Sequence, residues 1–194
     1  REVMPIKEVI DAFDLPQILR HNARFDLEKL KWMNYEHTRL MSADRFHELA
    51  VHTFAKAGVD TNQFPLDYVK KALDTCKDKV KIFSELPGYA GFYFTEEIIF
   101  DAEAVKKDFI PENQPRLLKL REAFAQLSDF TAASLEQTLK ATATTLGVKA
   151  GVLVHPARLS CTGKTAGPSL YHLLEVLGQE RVLRRLDKAL AQMG

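Results

Sequence analysis

Cysteine is scarce, with two in 194 residues, glycine and proline number only nine and eight, and there is a single tryptophan. Each shortage removes a class of protein. Two cysteines cannot staple a small secreted scaffold. Cys76 and Cys161 also stand apart, with no Cys-x-x-Cys spacing and no histidine cluster beside them, so they are expected to pack as small apolar residues. So little glycine and proline excludes collagen-like and low-complexity chains. No apolar run approaches the roughly 20 residues of a membrane-spanning helix, and the N-terminus lacks the basic-then-apolar order of a signal peptide. A cytoplasmic, monomeric protein with no membrane partner is the expectation. What remains is ordinary globular composition, 46% hydrophobic and 27% charged. A chain of this length buries about 70% of its unfolded surface on folding, enough for one core or two small ones without a metal or disulfide.

The near-neutral net charge of +1 hides an asymmetry. Residues 1–100 carry 14 basic and 16 acidic side chains, net −2, and residues 101–194 carry 13 and 10, net +3. In the last stretch Arg158, Lys164, Arg181, Arg184, Arg185 and Lys188 face only Glu175, Glu180 and Asp187. That is a modest positive patch of the kind phosphates attract.

Helical periodicity dominates, and no segment sustains the alternation of a strand, so an all-α fold is predicted. A short helix is expected over Pro5 to Phe13, and a second is capped by Asp26 and carries Leu27, Leu30, Trp32 and Met33. Ser42 caps a third, whose face is Phe46, Leu49, Ala50 and Phe54 and which stops at Gly58. Pro65 in a first turn opens a long fourth helix with the stripe Val69, Ala72, Leu73, Cys76, Val80 and Phe83, and with Lys70, Lys71, Lys77, Lys79 and Lys81 off that stripe. The pattern breaks at Pro87, Gly88 and Gly91. There Tyr89, Phe92, Tyr93 and Phe94 form an aromatic cluster, and a plug between two helical subdomains explains it better than base stacking. Further helices are predicted over Ala102 to Phe109, Pro115 to Leu127, Thr131 to Leu146, Ser169 to Leu177 with Pro168 in the first turn, and Gln179 to Met193.

Three constellations fail the chemistry they would need. Gly163-Lys164-Thr165 looks like the tail of a phosphate-binding loop, but that loop requires glycine where this chain has Arg158, and no strand leads into it. His47-Glu48 followed by His52 looks like a zinc helix, yet histidines five apart point about 140° away from each other, too far to share a metal. His155, His172 and Cys161 show no ligand spacing. No nucleophile elbow or dinucleotide loop is present.

The segment Ala23-Arg-Phe-Asp-Leu-Glu-Lys-Leu-Lys-Trp-Met-Asn34 resembles the stretch that follows the catalytic region of bacterial glutamate–tRNA ligases. Tyr93-Phe-Thr-Glu96 is similar to a mid-domain signature of that family. The runs Cys161-Thr-Gly-Lys-Thr-Ala-Gly-Pro-Ser-Leu-Tyr171 and Leu173-Leu-Glu-Val-Leu-Gly-Gln-Glu-Arg-Val-Leu183 resemble its anticodon-binding end. The resemblance spans essentially the whole chain. It implies the remainder of a stem-contacting helical region over 1–40 and two helical anticodon-binding subdomains over 41–100 and 101–194. The catalytic HIGH-type and KMSKS-type motifs of this class I family are absent. The chain is therefore expected to be inactive alone, and Arg1 is expected to mark a cut just behind the catalytic domain. No cofactor is expected in these residues; ATP and magnesium belong to the parent, which joins glutamate to tRNA. The alternatives are a stand-alone tRNA-binding paralogue and a helical protein-interaction scaffold.

Carried over by position, the resemblance assigns Arg158 to the first anticodon base with Leu170 as the apolar contact beside it. Gly167 and Pro168 fall where the middle base is read, although Gly-Pro before a helix needs no ligand to explain it. Lys79 falls where discriminating members read the third base with arginine. A lysine lacks the planar fork, so relaxed choice between tRNA(Glu) and tRNA(Gln), whose anticodons end in C and G, is expected. A register slip toward Lys77 or Lys81 is the alternative. Lys164, Arg116, Lys119, Arg181, Arg184 and Arg185 are the candidates for backbone phosphates.

Overall fold

The computed structural model describes residues 2–18, 22 and 24–193. Arg1, and Ala23 at the start of the first family-like segment, lie outside the described residues. Among the described residues the chain is all helical, without a strand. In order the helices are α1 (Ile6–Ala12), α2 (Leu27–Leu40), α3 (Ala43–Lys56), α4 (Leu66–Asp74), α5 (Leu86–Ala90), α6 (Ala102–Asp108), α7 (Asn113–Ala125), α8 (Ala132–Thr145), α9 (Gly151–Thr162), α10 (Leu170–Leu177) and α11 (Gln179–Met193). Local chemistry fixes several starts. The side chains of Asp26, Ser42, Asp101 and Thr131 accept from main-chain N–H groups three residues on, a cap worth about 1 kcal/mol each.

Four expectations are corrected. α4 ends at Asp74, short of the predicted Phe83. The Thr75 hydroxyl donates back to the Ala72 carbonyl at 2.7 Å, and Cys76 and Lys79 make i to i−3 bonds that tighten the chain into turns. The stripe survives this change, with Val69, Ala72, Leu73, Cys76 and Val80 all buried. Second, the break at Pro87 contains the short helix α5, with proline in its first turn, followed by a 3₁₀ turn over Gly91–Phe94. Third, Pro168 lies outside α10, before the N-cap Ser169, and Pro65 is itself the N-cap of α4.

The fourth correction is the largest. α9 was not expected, because it opens at Gly151 and carries Pro156 inside. An interior proline removes a helical hydrogen bond and costs roughly 3 kcal/mol. Burial offsets this: Leu153, Pro156, Ala157, Leu159, Ser160, Cys161 and Thr162 are all buried. α9 packs against α7, α8 and α11. Its Leu153, Ala157 and Cys161 join Leu120 and Phe124 of α7, Leu173 and Leu174 of α10 and Leu186 of α11 in one apolar cluster that reaches Phe46 and Phe54 of α3.

The aromatic plug expected near residue 90 sits inside that cluster. Phe92, Tyr93 and Phe94 are buried. Phe94 meets Phe54 edge-on at 4.9 Å and Phe64 at 5.6 Å. Both cysteines are buried thiols, as expected, and burial pushes Cys76 up to about 11 and Cys161 up to about 12, so neither is a nucleophile near neutral pH. The N-terminal part differs in kind. α1 buries nothing and α2 buries only Thr38, leaving Ile6, Phe13, Phe25 and Trp32 open to solvent.

Gly163 closes α9 with φ of 75°, its N–H bonds to the Leu159 carbonyl at 2.7 Å, and a Cβ there would stand 2.2 Å from the Ile99 carbonyl oxygen. Gly163→Ala should cost about 3 kcal/mol or more in urea unfolding. Gly58→Ala, at φ of 79° with open space around it, should cost only about 1 kcal/mol. Equal losses would contradict the close approach of Ile99.

Candidate nucleic-acid interface

α4 and its C-cap present Tyr68, Lys71 and Thr75 at helical spacing, with Asp74 and Lys79 alongside. α10 and its N-cap answer with Ser169, His172 and Val176 at the same spacing, with Glu175 beside them. Between them lies a cleft of about 640 Å³. Its charges balance, Lys71 and Lys79 against Asp74 and Glu175, so it is no simple basic patch. Asp74 is engaged with His47 Nε2 at 2.7 Å, and His172 Nδ1 lies 3.0 Å from the Ser169 hydroxyl. Of the three alternating lysines, Lys79 lines the cleft. Lys77 instead donates to the Met41 carbonyl at 2.6 Å, and the Lys81 carbonyl accepts from Asn34.

Tyr68 forms the aromatic part of the wall. Its hydroxyl donates to the Tyr93 carbonyl at 2.8 Å and accepts from Arg181 Nη1 at 2.7 Å, while Phe64 stacks on its ring at 5.6 Å. Burial raises its pKa against the pull of Arg181 and Arg185. It therefore stays a neutral, fixed phenol.

The loop between α9 and α10 adjoins the cleft at Ser169. Arg158, half-buried on α9, donates Nη1 to the Pro168 carbonyl at 2.7 Å. A Cβ at Gly167 would lie 3.3 Å from that same nitrogen, so the glycine makes room for the guanidinium. Burial lowers the pKa of Arg158, yet an arginine keeps its charge at any physiological pH. One of its five N–H groups is spent on the loop. Pro168 and Leu170 are buried. Leu170, expected as an apolar contact for a base, instead serves the core, because its side chain starts the buried face of α10. Lys164 reaches back to the Gly88 carbonyl.

The basic residues of α11 separate into three roles. Arg185 was expected at phosphates, but only 2% of it is exposed. It donates to the carbonyls of Cys161 at 2.6 Å, Phe92 at 2.8 Å and Thr95 at 2.6 Å, so it cannot reach an RNA backbone. The signal was present in the sequence: position 185 falls on the same stripe as Val182, Leu186 and Ala189. Arg181, also expected at phosphates, has 13% of its side chain exposed and is committed to Glu96, Tyr68 and the Tyr93 carbonyl. Arg184 is the most open of the three, shared between Glu96 and Glu180. On α7, Arg116 bonds Asn113 and Lys119 pairs with Glu122, and neither lines the cleft.

Burial raises the Glu96 pKa, but hydrogen bonds and charge from Arg181 and Arg184 outweigh it and leave the carboxyl below the ordinary glutamate value. A lowered carboxylate pKa stabilises the fold above its unfolded value and ceases to do so as the pH falls through the folded one.

Residues 43–190 match the family described as "Anticodon binding domain". Over 97% of its length the chain is 32% identical to a glutamate–tRNA ligase of Moorella thermoacetica and 37% identical to one of Methylacidiphilum infernorum. It spans 39% and 42% of those two proteins. Its fold also matches a crystal structure of a glutamate tRNA ligase from Elizabethkingia meningosepticum, with a TM-score of 0.86 at 28% identity, covering all of this chain and 38% of that one.

Arg185→Ala should lose about 3 kcal/mol in urea unfolding, since the buried carbonyls of Cys161 and Phe92 and the part-buried one of Thr95 lose their donor. Arg184→Ala should lose less than about 1 kcal/mol. Equal effects would contradict the separation of roles. Glu96→Gln should flatten the fall in thermal stability as the pH drops below about 4.3; an unchanged acid profile would count against the paired state of Glu96.

Proposed function

We propose that this chain, which belongs to the anticodon-binding domain family, grips the anticodon loop of tRNA(Glu) as part of a glutamate–tRNA ligase. The observation that carries the reading is a cleft lined by Lys79 and Ser169, with the Gly167-Pro168 loop that Arg158 holds leading into Ser169. Reading an anticodon requires bases splayed from their stack and met by donors along their edges. The remaining N–H groups of Arg158 suit the first base, and the main-chain N–H of Gly167 suits the second, since Pro168 has no N–H and its carbonyl is held by Arg158. The Lys79 ammonium suits the third, as a single donor that tolerates more than one base. Lys164 and Arg184, both exposed, are the residues left to meet backbone phosphates. In this reading residues 1–40 belong to a stem-contacting region, and residues 41–100 and 101–194 are the two halves that hold the loop.

ATP, magnesium and the joining of glutamate are assigned to the longer protein. Among the described residues no group of three His, Cys, Asp or Glu could hold a metal ion. No helix among them is long and apolar enough to cross a membrane.

Titration with an anticodon stem-loop RNA of tRNA(Glu) and with an unrelated hairpin tests the reading. Tighter binding of the first, weakening with salt, is expected, and equal binding of both would overturn it. Arg158→Ala should cost roughly tenfold against loops carrying the preferred first base and less against first-base variants. Equal losses across all loops would remove the residue from base reading.

A further inference from the structure

Lys79 and Glu175 line the same cleft from its two sides, Lys79 from the turn after α4 and Glu175 from α10. Both are exposed. The side chain of neither makes a hydrogen bond or ion pair with another described residue. Opposite charges facing one space without pairing leave an acceptor and a donor free for something placed between them. The other carboxylate, Asp74, is engaged by His47. Tyr68 and Val176 supply apolar surface in the same walls, which suits the faces of a flat ring.

We infer that Glu175 is a specificity-determining residue that admits guanine at the third anticodon position. The inference rests on the reading that Lys79 meets that base. The Watson–Crick edge of guanine has an acceptor, O6, beside two donors, N1–H and the N2 amino group. A carboxylate accepts from both donors at once while an ammonium donates to O6. Cytosine presents the acceptors N3 and O2 and one amino donor, so Glu175 gains one bond at most and faces two lone-pair atoms. Lysine alone would leave the two bases poorly separated. Lysine with an opposing carboxylate adds the purine to the bases the cleft accepts, and a volume of about 640 Å³ has room for it.

The experiment uses the whole 194-residue chain and stem-loop RNAs that differ only at the third anticodon position, carrying cytosine, guanine or inosine. Inosine keeps O6 and N1–H but lacks the N2 amino group. In the unaltered chain, replacing guanine by inosine should weaken binding several-fold. In Glu175→Gln the guanine loop should lose roughly tenfold, the cytosine loop should stay within about twofold, and the guanine-to-inosine penalty should disappear. Glu175 is exposed, and an unchanged unfolding midpoint certifies the variant. Equal losses for the guanine and cytosine loops, or an inosine penalty that persists in Glu175→Gln, would overturn the role of Glu175 and leave anticodon binding standing. A chain that prefers none of these loops over an unrelated hairpin would overturn the underlying reading and this inference together.

Discussion

A guanidinium withdrawn from water must be given acceptors, and Arg185 has main-chain carbonyls in place of a carboxylate. Such a cation is costly to bury and more costly to strand, so its partners are fixed by its presence. Those partners come from three places: the end of α9 at Cys161, the aromatic turn at Phe92, and the following residue Thr95. Through one side chain of α11 the segment that joins the first half of the molecule to the second is pinned to the buried helix of the second. Burial lowers the Arg185 pKa without discharging it. The cross-link therefore holds at every pH at which the protein works.

The geometry of the cleft follows from that pin. Arg181, one turn earlier on α11, reaches Tyr68 and the Tyr93 carbonyl and is itself held by Glu96. This chain of contacts sets Tyr68 in the wall and brings α4 against α10, although the residues they contribute are about a hundred positions apart in the sequence. Arg158 does the same work from the other side, fixing the Pro168 carbonyl and so the entry to α10. A proline inside α9 is tolerated because the helix that carries Arg158 is the one the core encloses. The arginines expected to meet phosphate thus divide, some building the site and others facing solvent.

The elements legible in the sequence were those with a local cause. Asp26 and Ser42 cap helices whose start their chemistry announces, and Asp101 and Thr131 cap two more whose range the apolar spacing gives. The stripe from Val69 to Val80 is buried even though α4 stops at Asp74. α9 was hidden because Gly151 and Pro156 are local signals against a helix, and only tertiary burial overrides them. Arg185 was misplaced by its charge, although its position between Val182 and Ala189 on the buried stripe pointed inward. Tyr68 and Glu175 could not be singled out from the chain alone. Their importance comes from two helices meeting, and the separate spacings of 68, 71 and 75 and of 169, 172 and 176 carry no mark that they face each other.

In the proposed function the anticodon enters the cleft between α4 and α10, beside the loop that Arg158 holds. Hydrogen–deuterium exchange of the chain with and without the tRNA(Glu) anticodon stem-loop measures this directly. New protection is expected in the turn at 75–79 and over 164–176, with α8 unchanged. Protection confined to α8, or to the open apolar surface of α1 and α2, would contradict it.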